Sequence, residues 1–449
     1  MTKIDVFGGP SVTVDDDVLP MLEDKLVLWL AGRVGVLIDN RFIDFATWRG
    51  GLGAKTVDDP TDYRTSNIVV PTVRLEEMGG SPVLAWEDQP MQERRLTPFP
   101  EESLAVDTEH TLALQEGGVK YVDYEKSRTM PNIAVDSIAN EGTVLTLSHW
   151  PNNDTPTALK TDLSAKSVFT YFDGGNAING DWAVTTEHFD LDGLVSAYTF
   201  MNFDRASANR ELMIEVASYG DFRKTRDETA MKIAMALEAI NNPEQGLLDP
   251  MVYQESSKRR CHEKFKRGLL LLDEILAAPS VDAFRPLWHD DFERYRRTQQ
   301  MFEDGKVTLA EDYEKDLAFF DIDRSMWNAA LIEDYRIETY LGFSIPSFHN
   351  RTDCKNVLLY CDGHVELHQR YEGWVDIADA VDVYRQDLAA LADLLNRIEA
   401  ADQGLWNYQG VVEIMPCLYS TDTSSIAKDR LYRIVATYLT ECLPGWVPA

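Results

Sequence analysis

The chain has 449 residues, a formal net charge of −32 and 44% hydrophobic residues, 10 of them tryptophan. That length exceeds one ordinary core and predicts two or three domains, and the apolar content excludes wholesale disorder. An acidic excess spread along the chain repels nucleic-acid phosphates, so no broad nucleic-acid-binding surface is expected; a small phosphorylated ligand in a local cationic or metal-lined pocket is not excluded.

The five cysteines, Cys261, Cys354, Cys361, Cys417 and Cys442, are scattered and form no CxxC pair. This suits a reducing cytoplasm and argues against a zinc ribbon. The N-terminal residues lack a signal-peptide pattern, and the longest apolar run, Leu26 to Ile38, is interrupted by Arg33 and too short to span a membrane. A soluble cytoplasmic protein is expected.

Residues 1–127 read as an α+β extension of unknown role. Leu26 to Leu30 suggests a helix and Val34 to Ile38 a buried strand. Ile68 to Val70, Val83 to Trp86 and Val119 to Val122 are short strand-like runs between turn residues. The glycine-rich Arg49 to Gly53 lacks the lysine and hydroxyl residue of a phosphate loop and reads as a turn.

From Pro131 the alternation sharpens. Asn132 to Val135 is a strand ending at Asp136, and Thr143 to Leu147 reads as a buried strand ending in Ser148-His149-Trp150. A helix start follows at Asp162 to Ala165. Trp182 to Thr185 is a strand, and Leu194 to Met201 begins a helix. Strand, loop, helix repeated in this way predicts an α/β layer with a mainly parallel sheet over residues 128–282. Ligands of such sheets sit at the carboxyl ends of the strands, where His149 and the stretch His188 to Gly193 fall.

Glu228 to Ile240 and Tyr253 to Ala277 read as helices; the second carries Lys258, Arg259, Arg260, Lys264, Lys266 and Arg267, read as a solvated face. Phe284 to Phe302 is a charged helix. Residues 283–449 read as a smaller α/β domain with a mixed sheet. Its strands are Asp316 to Phe320, Asn356 to Tyr360, His364 to Tyr371 and Val411 to Ile414, with a hairpin turn at Asp362-Gly363. Asp387 to Ile398 and Asp429 to Leu443 are its helices.

His188, Asp190 and Asp192 are the leading chemical candidates. On an extended segment, alternating residues point the same way, so the three would converge. An imidazole among hard carboxylates suits Mn²⁺ or Mg²⁺. Gly193 allows a tight turn into a helix whose N-terminus favours an anion. The structural alternative is an Asp-rich cap before a helix.

The stretch Thr186 to Ala197, with its His-x-Asp-x-Asp-Gly, resembles the first motif of the DHH phosphoesterase superfamily. Gly220-Asp221-Phe222 is similar to its second motif, and the segment from Leu147 through His149 to Thr155 resembles its DHH motif. Glu366 to Glu372, followed by Asp387 to Ala392, resembles the C-terminal substrate-binding domain of the DHH/DHHA1 type. Taken with Leu-Ser-His-Trp-Pro and Arg370-Tyr371-Glu372-Gly373-Trp374-Val375, the chain from about residue 131 onward resembles an uncharacterised bacterial family. Two departures are plain. The Asp-His-His is reduced to Ser148-His149-Trp150 and precedes the first motif. Glu399 to Gly404 stands where a glycine-rich GGGH loop is expected.

The resemblance implies a two-metal centre, usually manganese. His188, Asp190 and Asp192 would hold one ion, and Asp221 and His149 would share or hold a second. Asp190, Asp192 and His149 carry the catalytic expectation. Arg370 would pair with a substrate phosphate; its alternative is an ordinary strand arginine. The implied activity is hydrolysis of a small phosphate ester, nucleotide or short oligonucleotide. The rivals are a degenerate module that binds nucleotide or metal without turnover, and a structural or interaction protein. A homo-oligomer is left open.

Overall fold

The computed structural model describes residues 119–176, 181–326, 340–375, 385–399 and 404–442, with strands of known backbone before and after them. The chain divides into two compact units, Met1–Ala105 and Val106–Ala449. The first unit contains three separate antiparallel groups. They are β1 (Thr2–Ile4) with β2 (Val12–Val14); β3 (Leu26–Leu30), β4 (Arg33–Ile38) and β5 (Arg41–Asp44); and β6 (Val73–Met78) with β7 (Ser81–Trp86). Leu26–Leu30 is therefore a strand and not the expected helix. The two apolar runs pair antiparallel, from Leu26↔Leu37 to Leu30↔Arg33. Ile68 to Val70 and Arg49 to Gly53 lie outside the described residues.

The second unit opens on a five-stranded sheet in the order β11-β10-β12-β9-β8. Its strands are β8 (Thr111–Leu112), β9 (Lys120–Val122), β10 (Asn132–Val135), β11 (Thr143–Leu147) and β12 (Ala183–Thr185). β9 to β12 are parallel, and β8 adds antiparallel at one edge. The inner strand β10, between β11 and β12, is buried at every position of its Asn-Ile-Ala-Val sequence. β11, expected to be buried throughout, is the other edge strand: Val144 is 51% exposed, and only Thr146 and Leu147 are buried. An unbroken apolar run does not reveal whether a neighbour covers both of its faces.

Helices pack on this sheet. They are the single turn α1 (Tyr124–Ser127), α2 (Ser164–Asp173), α3 (Leu191–Met201), α4 (Phe203–Ala208), α5 (Arg210–Phe222), α6 (Glu228–Glu238), α7 (Ser257–Ala277) and α8 (Arg285–Glu303). α3 is buried along its whole length. Its Leu191-to-Met201 sequence carries almost no charge, and it lies among the sheet, α2, α5 and α7. α7 starts only at Ser257, where Ser256 accepts from Arg259 N and caps it; Pro250–Gln254 before it is a 3₁₀ segment. The basic residues of α7 are paired outward: Lys258 with Glu125, Lys266 with Glu263 and Arg267 with Glu274. A solvated face is what they form.

A second, mixed sheet follows in the order β13-β14-β15-β16-β19-β18. It comprises β13 (Val307–Asp312), β14 (Leu317–Ile322), β15 (Asn356–Cys361), β16 (His364–Gln369), β18 (Trp406–Tyr408) and β19 (Cys417–Ser420); β17 (Arg385–Gln386) pairs separately with β20 (Pro444–Trp446). Only β14 and β15 are parallel. The β15–β16 turn is Asp362-Gly363, both at positive φ (47° and 90°), as a tight hairpin demands. The strand expected at Val411 to Ile414 is instead a run of turns. The paired strands on either side of it are β18 and β19, joined at Trp406↔Ser420 to Tyr408↔Leu418. α10 (Ala389–Glu399) and α11 (Lys428–Glu441) cover one face, and the short α9 (Ile345–His349) lies against the other with Tyr340, Leu341 and Phe343. Among the described residues no helix is long and apolar enough to cross a membrane.

One contact sets the spacing of two helices beside the sheet. A Cβ on Gly220 of α5 would lie 2.6 Å from Leu191 Cβ of α3. Gly220→Ala must therefore push α5 outward, and a loss of about 1–3 kcal/mol in stability is expected from such overpacking. Urea unfolding of the variant beside the wild type measures it.

Candidate metal centre

Asp136, His149 and His188 leave three adjacent strands at the same edge of the parallel sheet. Asp136 follows the inner strand β10, His149 follows β11 two residues past its end, and His188 follows β12. The carboxyl ends of the strands thus converge on one point, as in other open parallel sheets.

Local chemistry fixes each side chain. Asp136 has φ 45°, a left-handed conformation that aspartate tolerates better than most residues. Its N–H donates to Leu147 O at 3.0 Å, and its Oδ1 accepts from Ser164 Oγ at 2.8 Å. The loop bearing His149 is closed by Thr155, whose hydroxyl accepts from Ser148 N and donates to Ser148 O. His149 Nδ1 donates to Asp162 O at 2.5 Å, which turns Nε2 toward the carboxylates.

His188, Asp190 and Asp192 do not alternate along an extended segment: Asp190 stands beside His188, whereas Asp192 turns to His149. Asp190 is the N-cap of α3, its Oδ1 accepting from Gly193 N at 2.9 Å, and Asp192 sits inside the first helical turn. Asp192 then caps a different helix: its two oxygens accept from Ser164 N and Ala165 N of α2 at 2.7 and 2.8 Å. The cap of α2 is therefore supplied from 27 and 28 residues away. Asp221 arrives from the last turn of α5.

The distances define two overlapping groups. His149 Nε2 lies 3.2 Å from Asp221 Oδ2, 3.5 Å from Asp136 Oδ1 and 3.8 Å from Asp192 Oδ2. His188 Nε2 lies 2.5 Å from Asp190 Oδ2 and 3.4 Å from Asp136 Oδ2. Asp136 thus presents one oxygen to each imidazole. Asp136, His188 and Asp190 form one set of donors able to hold a divalent ion, and Asp136, His149 and Asp192 a second. Asp136, His149 and Asp192 are sealed from solvent, whereas the side chains of His188 and Asp190 keep 11% and 18% exposure and mark the open side.

Four carboxylates in so small a buried volume repel one another, and the electrostatics register it. Burial lowers the His149 pKa, but its hydrogen bond to Asp221 and the charges of Asp221, Asp192 and Asp136 overcome this and push it up to about 10. Burial opposes charge on His188 as well, and Asp190 and Asp136 push it up to about 10. Burial raises Asp221 to about 7. Burial, with the charges of Asp221 and Asp136, holds Asp192 well above the carboxylate range, although its two amide donors favour the ionised form. Protons are retained here to offset negative charge. Divalent cations would offset it too, and the buried Asp136 Oδ2 and Asp221 Oδ2 each face an imidazole nitrogen, at 3.4 and 3.2 Å. The residues present fit a divalent cation.

The other side of the centre is closed by rings. Tyr371 OH approaches His149 Nε2 at 3.4 Å, Trp150 lies 4.8 Å from the His188 ring, and Trp374 stands between them at 5.5 Å from Trp150 and 5.8 Å from Tyr371. Tyr371 and Trp374 come from the second sheet region. Arg370, expected to meet substrate, is only 1% exposed and its donors are turned away: it pairs with Glu372 and donates to Thr352 O and Cys354 O. Beside Phe222 and Asp162 lies a cavity of about 330 Å³, bordered also by Lys166, Lys224, Ser218 and Glu372.

Residues 118–448 match the family model described as Family of unknown function (DUF6687). The chain belongs to DUF6687. No curated protein matches its sequence significantly. Among solved structures it is similar to a pGpG-specific phosphodiesterase, PggH from Vibrio cholerae, at 14% identity and a TM-score of 0.30, covering 69% of this chain and 82% of that one. A score of that size is below the level from which a shared fold follows.

Asp136 and Tyr371 were not singled out by the sequence. Asp136 carried one signal, its place directly after a strand of the parallel sheet; Tyr371 stood only within the Arg370-to-Val375 pattern, and nothing local shows that it reaches His149 from 222 residues away.

Two outcomes follow for this DUF6687 protein. Asp136→Asn removes the charge shared by both groups, so Mn²⁺ binding measured by calorimetry should fall in both affinity and stoichiometry. The second concerns His349, whose Nδ1 donates to Phe222 O at 2.8 Å beside Asp221 and whose Nε2 accepts from Tyr340 OH at 2.6 Å. Burial, with the Arg370 charge, holds its pKa well below 6.5. A depressed pKa gives stability that is present above the unfolded value and lost as pH falls through and below it. The wild type should lose Tm from pH 7 toward pH 5, and His349→Asn should show a shallower slope in thermal melts.

Proposed function

We propose that this protein is a divalent-metal-dependent phosphoesterase acting on a small phosphate ester, nucleotide or short oligonucleotide. The observation that carries the reading is Asp136, one buried carboxylate with an oxygen facing each of two imidazole–carboxylate groups. A carboxylate in that position would serve both groups of donors, and the imidazole and carboxylate donors would suit Mn²⁺ or Mg²⁺.

His188, Asp190 and Asp136 would hold one cation; His149, Asp192, Asp221 and Asp136 the other. Cations there would acidify a water and stabilise the charge on phosphoryl oxygens. The chain itself contributes orientation and exclusion. Asp162 O fixes the His149 tautomer, Ser164 Oγ fixes Asp136, and the α2 amides fix Asp192. Trp150, Tyr371 and Trp374 exclude bulk water from the sealed side, which strengthens every charge interaction at the centre. Tyr371, whose pKa burial and the neighbouring aspartates hold well above its usual value, stays a neutral hydroxyl packed against the His149 ring. Substrate would enter past His188 and Asp190. Lys166 and Lys224, at the border of the neighbouring cavity, offer positive charge to the part of the substrate that does not react.

A second reading is a module that binds metal without turnover. The inward commitment of Arg370 favours it, since the cation expected to hold the phosphate is spent on Glu372 and two carbonyls.

Purified protein with Mn²⁺ should hydrolyse bis-p-nitrophenyl phosphate or short dinucleotides, and EDTA should abolish this. Asp190→Ala and Asp136→Asn should each lose at least ~100-fold, the upper range seen when metal sites are perturbed even indirectly. Equal activity in the variants rejects the site. Tight Mn²⁺ binding with no turnover on any phosphodiester supports the module.

A further inference from the structure

We propose that Glu366, His368 and Cys417 form a second metal site, separate from the aspartate centre, for a borderline-soft divalent cation of the zinc type. The three residues come from two hydrogen-bonded strands. Glu366 and His368 are two apart on β16 and so share a face, and Cys417 of β19 is the direct register partner of His368. That face is the one covered by Tyr340, Leu341 and Phe348. All three are buried, at 5%, 3% and 1% exposure.

The donors stand close to a ligand shell. Cys417 Sγ is 3.7 Å and Glu366 Oε2 is 2.8 Å from His368 Nε2. A tetrahedral zinc with bonds of about 2.3 Å to sulfur and about 2.0 Å to nitrogen and oxygen places those pairs about 3.6 and 3.3 Å apart. The sulfur already sits at that spacing, and the carboxylate needs to open by about half an ångström. Such a thiolate, imidazole and carboxylate set differs in kind from the aspartate centre, which holds no sulfur.

The surrounding backbone is shaped to the carboxylate. Tyr340 and Leu341 both have positive φ, 85° and 52°, and both direct their N–H groups at Glu366 Oε2, at 2.6 and 3.1 Å. Two consecutive non-glycine residues in this region cost energy, and the arrangement aims two amide donors at one carboxylate oxygen in an apolar interior. The Tyr340 ring stacks on His368 at 3.9 Å and fixes its plane. Through Tyr340 OH and His349 the same residues reach Phe222 O, next to Asp221, so an ion here would stiffen one wall of the first centre.

Cobalt(II) reports thiolate ligation directly. Titrating the full chain with Co²⁺ should produce a sulfur-to-cobalt charge-transfer band in the near ultraviolet. Cys417→Ser should lose that band and one equivalent of bound ion, while Asp190→Ala should keep the band, so failure of the aspartate centre and failure of this site give different results. X-ray absorption on the zinc-loaded wild type should show a sulfur and an imidazole scatterer, independent of how the variant folds. A wild type without the charge-transfer band, an undiminished band in folded Cys417→Ser, or zinc with only oxygen and nitrogen neighbours overturns the proposal.

Discussion

The structure depends on how one buried carboxylate is compensated. Asp136 sits at the end of the inner parallel strand β10, shut off from water, with three further aspartates around it and an imidazole on each side. An ionised carboxylate in that environment is expensive unless paired. The two histidines and two helix starts are therefore structural requirements before they are chemical ones. Asp190 caps α3, Asp192 caps α2, and the fold cannot place these helices without also assembling the acidic cluster. Stability and chemistry share the same atoms.

The second sheet is bound to this arrangement by aromatic and histidine contacts. Tyr371 and Trp374 roof the centre, and His349 holds the carbonyl of Phe222, the residue after Asp221. Arg370 shows how neighbouring residues divide such roles. It anchors the Thr352 and Cys354 carbonyls within the second sheet region, and the tyrosine one residue later reaches across to His149. The guanidinium expected at the substrate is held by Glu372 and these two carbonyls.

Much of the fold was legible where the pattern is local. β10, β12, the β15–β16 hairpin and most long helices were readable from periodicity, caps and the Asp362-Gly363 turn. Readings failed where the deciding partner was remote. Leu26–Leu30 became a strand because Arg33–Ile38 returns beside it. The β18–β19 pair flanks, and does not include, Val411 to Ile414, because residues there supply the turn between strands. Exposure of Val144 was set by which strand ended the sheet.

By itself the sequence determined the alternation of strands and helices, and it placed His149, His188, Asp190 and Asp192 near strand ends, because periodicity and turn chemistry act over a few residues. The tertiary structure decided which carboxylate is shared. Asp136 matters because sheet order puts β10 between β11 and β12, and that order is set by the packing of whole helices. Likewise the capping of α2 by Asp192 and the approach of Tyr371 to His149 join residues distant in the chain. No local pattern encodes them, since burial and hydrogen bonding are satisfied only when the remote partner arrives.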